Sequence, residues 1–188
     1  MNLPNKLTLL RVILVPFFVF FMLTDFMPYS KAIALVIFIA ASVTDAFDGH
    51  IARSRNLVTT FGKFLDPLAD KVLVISALVC LTELGLVGAV PVIIIIAREF
   101  MVSGLRLVTA NEGVVVAAGI WGKLKTAFSL VAIVVIIFGM CLGIEDGTAA
   151  AAVLNMVDRT LIWIATILTV ISGGVYLKGY WKYIDASK

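Results

Sequence analysis

The sequence predicts an all-α integral membrane protein with six transmembrane helices and a short N-terminal amphipathic interfacial segment. The 188 residues are 62% hydrophobic and only 14% charged, and the mean hydropathy of +1.11 is far from that of a soluble domain. Six apolar runs are long enough to span about 30 Å of hydrocarbon, at residues 7–24, 31–50, 67–87, 88–109, 121–143 and 154–177. We therefore expect one membrane domain over residues 1–188.

The basic residues predict the orientation of these spans. An even number of spans places both termini on one side, and all but Lys31 and Arg159 of the 15 lysines and arginines fall toward that side. Because basic loops stay in the cytoplasm, we expect both termini and the functional site to face the cytoplasm from the inner membrane. The net charge of +3 then reflects topology and contact with anionic lipid headgroups, and we expect no nucleic-acid partner.

The first run begins in PNKLTLLR, which places Asn5, Thr8 and Arg11 on one helical stripe. One interpretation is an interfacial helix anchored by Lys6 and Arg11. A secretory signal is disfavoured because no small-residue cleavage site follows before the next span. The other interpretation, a binding role for Asn5 and Thr8, depends on the resemblance described below.

Two pairs of aspartates lie at the facing ends of the second and third runs. The second run ends in DAFDGHIAR, where Asp45 and Asp48 share a helical face with two small residues. The third begins within GKFLDPLADK, where Asp66 and Asp70 are four residues apart and also share a face. Because proline is tolerated in the first turn of a helix, Pro67 predicts that a new helix begins there. We call these four aspartates the acidic motif.

The acidic motif predicts a metal site. Neighbouring carboxylates repel one another and need counter-charge, and an all-oxygen donor set selects a hard cation, Mg²⁺ or Mn²⁺. Two such ions suit phosphoryl chemistry because they clamp phosphate oxygens, and Arg53 beside the acids is able to bind a phosphate. The alternative is that the acids pair with basic residues of a solvated loop, but four acids at 3- and 4-residue spacings beside small residues favour a metal site.

The run Asp45-x2-Asp48-Gly49-x2-Ala52-Arg53-x8-Gly62-x3-Asp66-x3-Asp70 resembles, position for position, the signature of the CDP-alcohol phosphotransferase family. The resemblance implies a cytoplasm-facing site, a divalent-metal centre, displacement of CMP by an alcohol, and a homodimer. The implied metal ligands are Asp45, Asp48, Asp66 and Asp70, and Asp70 is also the implied base that activates the acceptor hydroxyl. The implied CDP-lipid-binding residues are Asn5, Thr8, Gly49, Ala52, Arg53 and Gly62.

Charged residues of the fourth and fifth runs predict the acceptor. The segments AREFMVSGLR and GKLKT carry Arg98, Arg106, Lys123 and Lys125. Snorkelling to the membrane surface explains three of them but explains Arg98 less well, because it lies about two turns deeper. Convergent basic side chains predict an anionic acceptor, such as glycerol 3-phosphate, whose phosphate these four residues bind by charge-assisted hydrogen bonds.

The same segments, together with LPNKLTLLRVILVPFF, resemble the phosphatidylglycerophosphate synthase branch of the family over most of residues 3–130. This resemblance implies transfer of a phosphatidyl group from CDP-diacylglycerol to glycerol 3-phosphate with release of CMP. One alternative is the same chemistry with another acceptor, such as inositol phosphate or serine. Another is a small cation transporter, since intramembrane acids often mark ion pathways. For the sixth run, at residues 154–177, we expect a membrane span whose role is helix packing.

Overall fold

A computed structural model of the chain describes residues 3–54, 60–111, 119–145 and 147–181. Within these ranges the chain forms six α-helices, each overlapping one predicted run: α1 (Leu3–Leu23), α2 (Ser30–Ser54), α3 (Thr60–Glu83), α4 (Ala89–Asn111), α5 (Ile120–Cys141) and α6 (Ala149–Tyr180). The all-α, six-helix prediction is confirmed. The N-terminal segment is not a separate element, because it forms the first turns of α1.

Helix α3 begins earlier than the proline suggested. It starts at Thr60, seven residues before Pro67, so the prediction that Pro67 lies in the first turn is wrong. A proline inside a helix removes one backbone hydrogen bond. Neighbouring helices in a membrane domain compensate for this loss, and α1 carries Pro16 in its interior in the same way.

A glycine turn allows the chain to reverse between α3 and α4. Gly85 adopts a φ of 74°, a left-handed conformation that glycine reaches without steric penalty. Its N–H donates to the carbonyl of Thr82, and the N–H of Leu86 donates to the carbonyl of Leu81, each at 3.0 Å. These bonds satisfy carbonyls at the end of α3, so α4 can begin at Ala89 and run back beside the bundle.

The helices form one bundle whose two ends differ in chemistry. Helix α1 packs against α2 and α3, α5 against α2 and α6, and α4 against α6. The apolar core lies at the end where α1, α3 and α5 finish, and there the rings of Phe18 and Phe38 meet with centroids 5.7 Å apart. Several buried polar and charged side chains lie nearer the other end, among them Thr8, Arg11 and Lys125, whereas Ser30 and Asp158 are buried toward the apolar end.

Helix α6 shows the reversed polarity that a lipid environment requires. Its exposed face carries large apolar side chains, including Met156 at 72% and Val153 at 63% exposure. Its buried face carries Asp158, Thr169 and Ser172. In water such an apolar exterior would be unfavourable, whereas in a bilayer polar side chains turn toward the protein interior.

By length and composition, three of the described helices are suited to cross a membrane: Lys6–Leu23 within α1, Ile120–Cys141 and Ala149–Tyr180. The segment Ser30–Thr44 of α2 is apolar but shorter. Helix α4 carries Arg98, Glu99 and Arg106. Membrane character is therefore supported, while spans formed by α2, α3 and α4 remain predictions.

Candidate active site

The backbone brings the two halves of the acidic motif onto neighbouring helices. Asp45 and Asp48 lie in the last third of α2, and Asp66 and Asp70 lie in the first half of α3. These helices contact each other and follow one another in the chain across residues 55–59. The side chains of the acidic motif, and those of Asn5, Ala52 and Arg53, lie outside the described residues, as do the surroundings of Gly49 and Gly62. The metal site and most of the CDP-lipid pocket remain predictions.

Thr8 and Arg11 lie on the inner face of α1. Each is only 1% exposed, and Arg11 is among the largest fully buried side chains. Lys6, by contrast, is exposed. Arg11 is therefore not the interfacial anchor that one interpretation of the sequence suggested. It instead faces the interior of the bundle, where Thr8, one turn away, shares its face.

A cavity of about 90 Å³ opens beside this face of α1. Five helices line it, through the residues Arg11, Ser42, Lys71, Leu73, Val74, Ile75, Ile95, Glu99, Lys125, Thr126, Ser129 and Leu130. We call it the basic cavity, because three cationic residues and one carboxylate contribute to its wall. Along the chain it adjoins the acidic motif, since Lys71 follows Asp70 and Ser42 precedes Asp45 by three residues.

Two hydroxyl groups in the wall of the basic cavity favour a polar occupant. The side-chain oxygens of Ser42 and Ser129 are buried and have no hydrogen-bond partner among the described residues. A buried polar group left in this state costs about 1–3 kcal/mol. A ligand that offers hydrogen bonds would offset this cost, and a phosphate also matches the cationic wall.

An ion network connects the basic cavity to α4. One carboxylate oxygen of Glu99, Oε1, accepts hydrogen bonds from Lys125 Nζ and from Arg98 Nη1, the latter at 2.9 Å. All three side chains are largely buried, with exposed fractions of 17% for Glu99, 7% for Lys125 and 10% for Arg98. Removing one partner from a buried ion pair leaves an uncompensated charge. Glu99 therefore fixes the positions of both cations, since Arg98 and Lys125 donate to the same carboxylate oxygen.

Helix α6 binds both arginines of α4. Arg98 Nη2 donates to Ser172 Oγ at 2.7 Å, and Arg106 Nη2 donates to the Tyr176 hydroxyl at 2.5 Å. The guanidinium carbons of Arg98 and Arg106 also lie 5.5 Å and 5.0 Å from the centroid of the Tyr176 ring. These are cation–π distances. Close backbone approach allows this packing, since a Cβ on Gly173 would lie 3.1 Å from Arg98 Cγ.

The four residues predicted to bind the acceptor phosphate are placed differently from one another. Lys125 lines the basic cavity, whereas Arg98 lies behind Glu99 and contacts α6. Arg106 is an exposed residue whose guanidinium binds Tyr176, and Lys123 is an exposed residue of α5. The basic cavity thus contains one of the four, and the predicted roles of the other three are neither confirmed nor contradicted.

Sequence reasoning missed several residues of this region. Arg11 was interpreted as an interfacial anchor, and Lys71 was counted only among the basic residues that set the orientation, although their positions near Thr8 and Asp70 offered a local signal. Ser172 and Tyr176 offered none, because they lie 74 and 70 residues along the chain from the arginines that they contact. The interpretation of the sixth run as a packing helix therefore omitted its polar contacts.

Comparison with known proteins finds similarity to one family over most of the chain. Residues 1–171 match the family model for CDP-alcohol phosphatidyltransferases. A CDP-diacylglycerol–glycerol-3-phosphate 3-phosphatidyltransferase of Bacillus subtilis (strain 168) is 42% identical, over 99% of this chain and 98% of the relative. Relatives with the same name in Rickettsia bellii and Haemophilus influenzae are 39% and 38% identical, covering 97% and 94% of this chain and 97% and 92% of their own lengths.

Proposed function

The chain belongs to the CDP-alcohol phosphatidyltransferase family, and from this premise we propose that it transfers a phosphatidyl group from CDP-diacylglycerol to glycerol 3-phosphate. The observation that carries the proposal is the near full-length similarity to relatives named for this reaction. The basic cavity beside the acidic motif supports it independently, because its cationic wall suits an acceptor that carries a phosphate. The products would be CMP and phosphatidylglycerophosphate.

In the proposed reaction, the 1-hydroxyl of glycerol 3-phosphate attacks the phosphorus that bears diacylglycerol. A new phosphorus–oxygen bond forms, the bond to the CMP oxygen breaks, and CMP leaves. Asp70 takes the proton of the attacking hydroxyl as general base. Asn5, Thr8 and Arg53 would orient the nucleotide, with Gly49, Ala52 and Gly62 leaving room for it. The burial of Thr8 on the inner face of α1 supports this arrangement.

Asp45, Asp48, Asp66 and Asp70 would hold divalent metal, and their all-carboxylate chemistry fits Mg²⁺ or Mn²⁺. Two ions would neutralise charge on the phosphates and on the leaving CMP. Because phosphoryl transfer depends mainly on positioning and electrostatic stabilisation, the protein's contribution is to fix the lipid phosphate against the acceptor hydroxyl.

The acceptor phosphate would bind in the basic cavity. Lys125 is the proposed direct ligand, because it lines this cavity and is held by Glu99. Arg11 and Lys71 line the same wall and would add positive charge. Arg98, Arg106 and Lys123 remain in the proposal as further cations for the anionic acceptor. Its phosphate would also find hydrogen-bond donors in the serine hydroxyls of the cavity wall.

The proposed setting is the cytoplasmic membrane, with both termini and the site facing the cytoplasm. The distribution of basic residues supports this orientation. A site where helices end near the headgroups would admit a two-chain lipid from the bilayer and a polar acceptor from the cytoplasm. We include a homodimer in the proposal on the strength of the family resemblance.

The direct test is release of CMP by the purified protein in detergent, with CDP-diacylglycerol and Mg²⁺. The acceptors are glycerol 3-phosphate, inositol phosphate, inositol and serine, each repeated with EDTA. Release that requires both glycerol 3-phosphate and metal is the expected result. Release with a different acceptor would overturn the acceptor assignment, and no release by folded protein with any acceptor would favour the cation-transporter alternative.

A further inference from the structure

The C-terminal half of α6 presents a compact polar surface to α4. Ser172, Gly173 and Tyr176 lie within one turn of each other on the same helical face. Ser172 is fully buried and Tyr176 is 5% exposed. We call these three residues the arginine-binding surface of α6, because their side-chain contacts and close approach involve Arg98 and Arg106.

Ser172 is not an ordinary structural hydroxyl of this helix. Thr166 and Thr169 lie on the same buried face, and each donates its hydroxyl to a carbonyl of α6 itself at 2.7 Å. That bond satisfies the threonine without another helix. Ser172 instead accepts a hydrogen bond from Arg98 at 2.7 Å. The two threonines therefore show what a purely structural role looks like at matched burial.

Tyr176 contacts both arginines at once. Its hydroxyl binds Arg106 and its ring lies within cation–π distance of Arg98 and Arg106. Its own position is restricted, since the ring packs against Gly122 of α5, where a Cβ would lie 3.3 Å from it, and stacks with Tyr180. A restricted aromatic ring limits the orientations open to the two guanidinium groups.

A continuous series of contacts leads from this surface to the basic cavity. Arg98 binds Ser172 with one terminal nitrogen and Glu99 with the other. Glu99 in turn binds Lys125, and both of these residues line the cavity. Among the described residues, the cavity wall contains none from α6. In this series of contacts, helix α6 reaches the proposed acceptor site through Arg98 and Glu99 of α4 and Lys125 of α5.

We propose that Ser172 and Tyr176 are positioning residues for the acceptor: they orient Arg98 and Arg106 and, through Glu99, hold Lys125 toward the basic cavity. This inference rests on the proposed function and adds to it a role for the last helix. Positioning of charged groups affects binding of the anionic acceptor specifically, because rigid placement avoids reordering when the phosphate enters. The liponucleotide would bind through other helices and should be unaffected.

The test uses steady-state kinetics of CMP release by the full-length protein in detergent, with variants Ser172→Ala, Tyr176→Phe and Tyr176→Leu. The matched control is Thr169→Val, which removes an equally buried hydroxyl that donates its hydrogen bond to a carbonyl of α6 itself. We expect Ser172→Ala and Tyr176→Phe to raise the KM for glycerol 3-phosphate about fivefold to thirtyfold, less than the loss of a direct hydrogen bond from a cation to the phosphate, because each variant acts only through the cation that it no longer holds in place. Tyr176→Leu should have a larger effect, because it also removes the ring.

The same experiment separates this inference from the proposed function. The KM for CDP-diacylglycerol and the kcat at saturating acceptor should stay within about twofold of the wild-type values in Ser172→Ala and Tyr176→Phe. Equal changes in both KM values, or an effect of Thr169→Val as large as that of Ser172→Ala, would overturn the positioning role. A wild-type protein that is inactive with glycerol 3-phosphate would refute the proposed function itself. If Tyr176→Leu fails to fold, the two conservative variants decide the result.

Discussion

Replacing Lys125 by methionine tests the basic cavity most directly. The lysine side chain is 7% exposed, lines the cavity and binds Glu99. Methionine keeps an unbranched stem that fills the space and removes the charge. If Lys125 donates to the acceptor phosphate, the loss of one charge-assisted hydrogen bond of about 1.5–3 kcal/mol should raise the KM for glycerol 3-phosphate about 10- to 150-fold, at about 1.4 kcal/mol per factor of ten.

The fold should tolerate this change, because Glu99 keeps its ion pair with Arg98 at 2.9 Å. A buried carboxylate with no partner would instead lose about 3–5 kcal/mol of stability. We therefore expect a small decrease in Tm for Lys125→Met and a larger one for Lys125→Met combined with Arg98→Met. Comparison of the two Tm values shows whether a kinetic effect of the single variant reflects binding or unfolding.

The assay varies glycerol 3-phosphate at saturating CDP-diacylglycerol, and then the reverse. The control is Lys178→Met, which removes an exposed lysine near the end of α6 outside the basic cavity. A rise confined to the KM for glycerol 3-phosphate is expected for Lys125→Met, with wild-type values for Lys178→Met. An unchanged acceptor KM, or equal rises in both KM values, would refute the assignment of the cavity to the acceptor phosphate.

Three further changes have distinct expected outcomes. Asp70→Asn should abolish CMP release while much CDP-lipid binding, measured on immobilised liponucleotide, is retained. Complete loss of binding would argue against the role of Asp70 as base and leave it a structural or metal-holding role alone. Gly139→Ala should lower the Tm in detergent, because the new Cβ would lie 3.0 Å from Leu154 and overpacking costs about 1–3 kcal/mol. Adding Leu154→Ala should restore much of the lost stability, and a Tm that stays low in the double variant would argue against this contact. Asp158→Asn should leave CMP release unchanged and the Tm equal or higher. The carboxylate is buried with one oxygen lacking a partner among the described residues, and a neutral amide is less costly to bury. A large decrease in Tm would show that the charge is needed.

The local features of this protein were predictable because helical periodicity is a local property. Residues three or four positions apart share a helical face whatever the rest of the chain does. The pairing of Asp45 with Asp48 and of Asp66 with Asp70 follows from that spacing alone. The positions of the six helices follow from apolar runs of membrane length. The start of α3 was an exception, because the helix begins at Thr60 and includes Pro67 in its interior.

The buried ion network was only partly predictable. The segments around Arg98 and Lys125 predicted an anion-binding region. The structure shows that a carboxylate, Glu99, pairs with both of these cations. The pairing depends on the distance between α4 and α5, and residue spacing within either helix does not determine that distance.

The sequence by itself determined the membrane class and the helix count, since these depend on composition and on the length of apolar runs, and it predicted a metal-binding role for the acidic motif from spacing within single helices. Only the tertiary structure decided that Arg11 and Lys71 line a cavity with Lys125 and that Tyr176 and Ser172 bind the arginines of α4. The physical reason is that lipid and protein core are both apolar, so hydrophobic patterning does not identify which face of a membrane helix meets a neighbour. That choice is made by packing and by polar contacts between residues far apart in the chain.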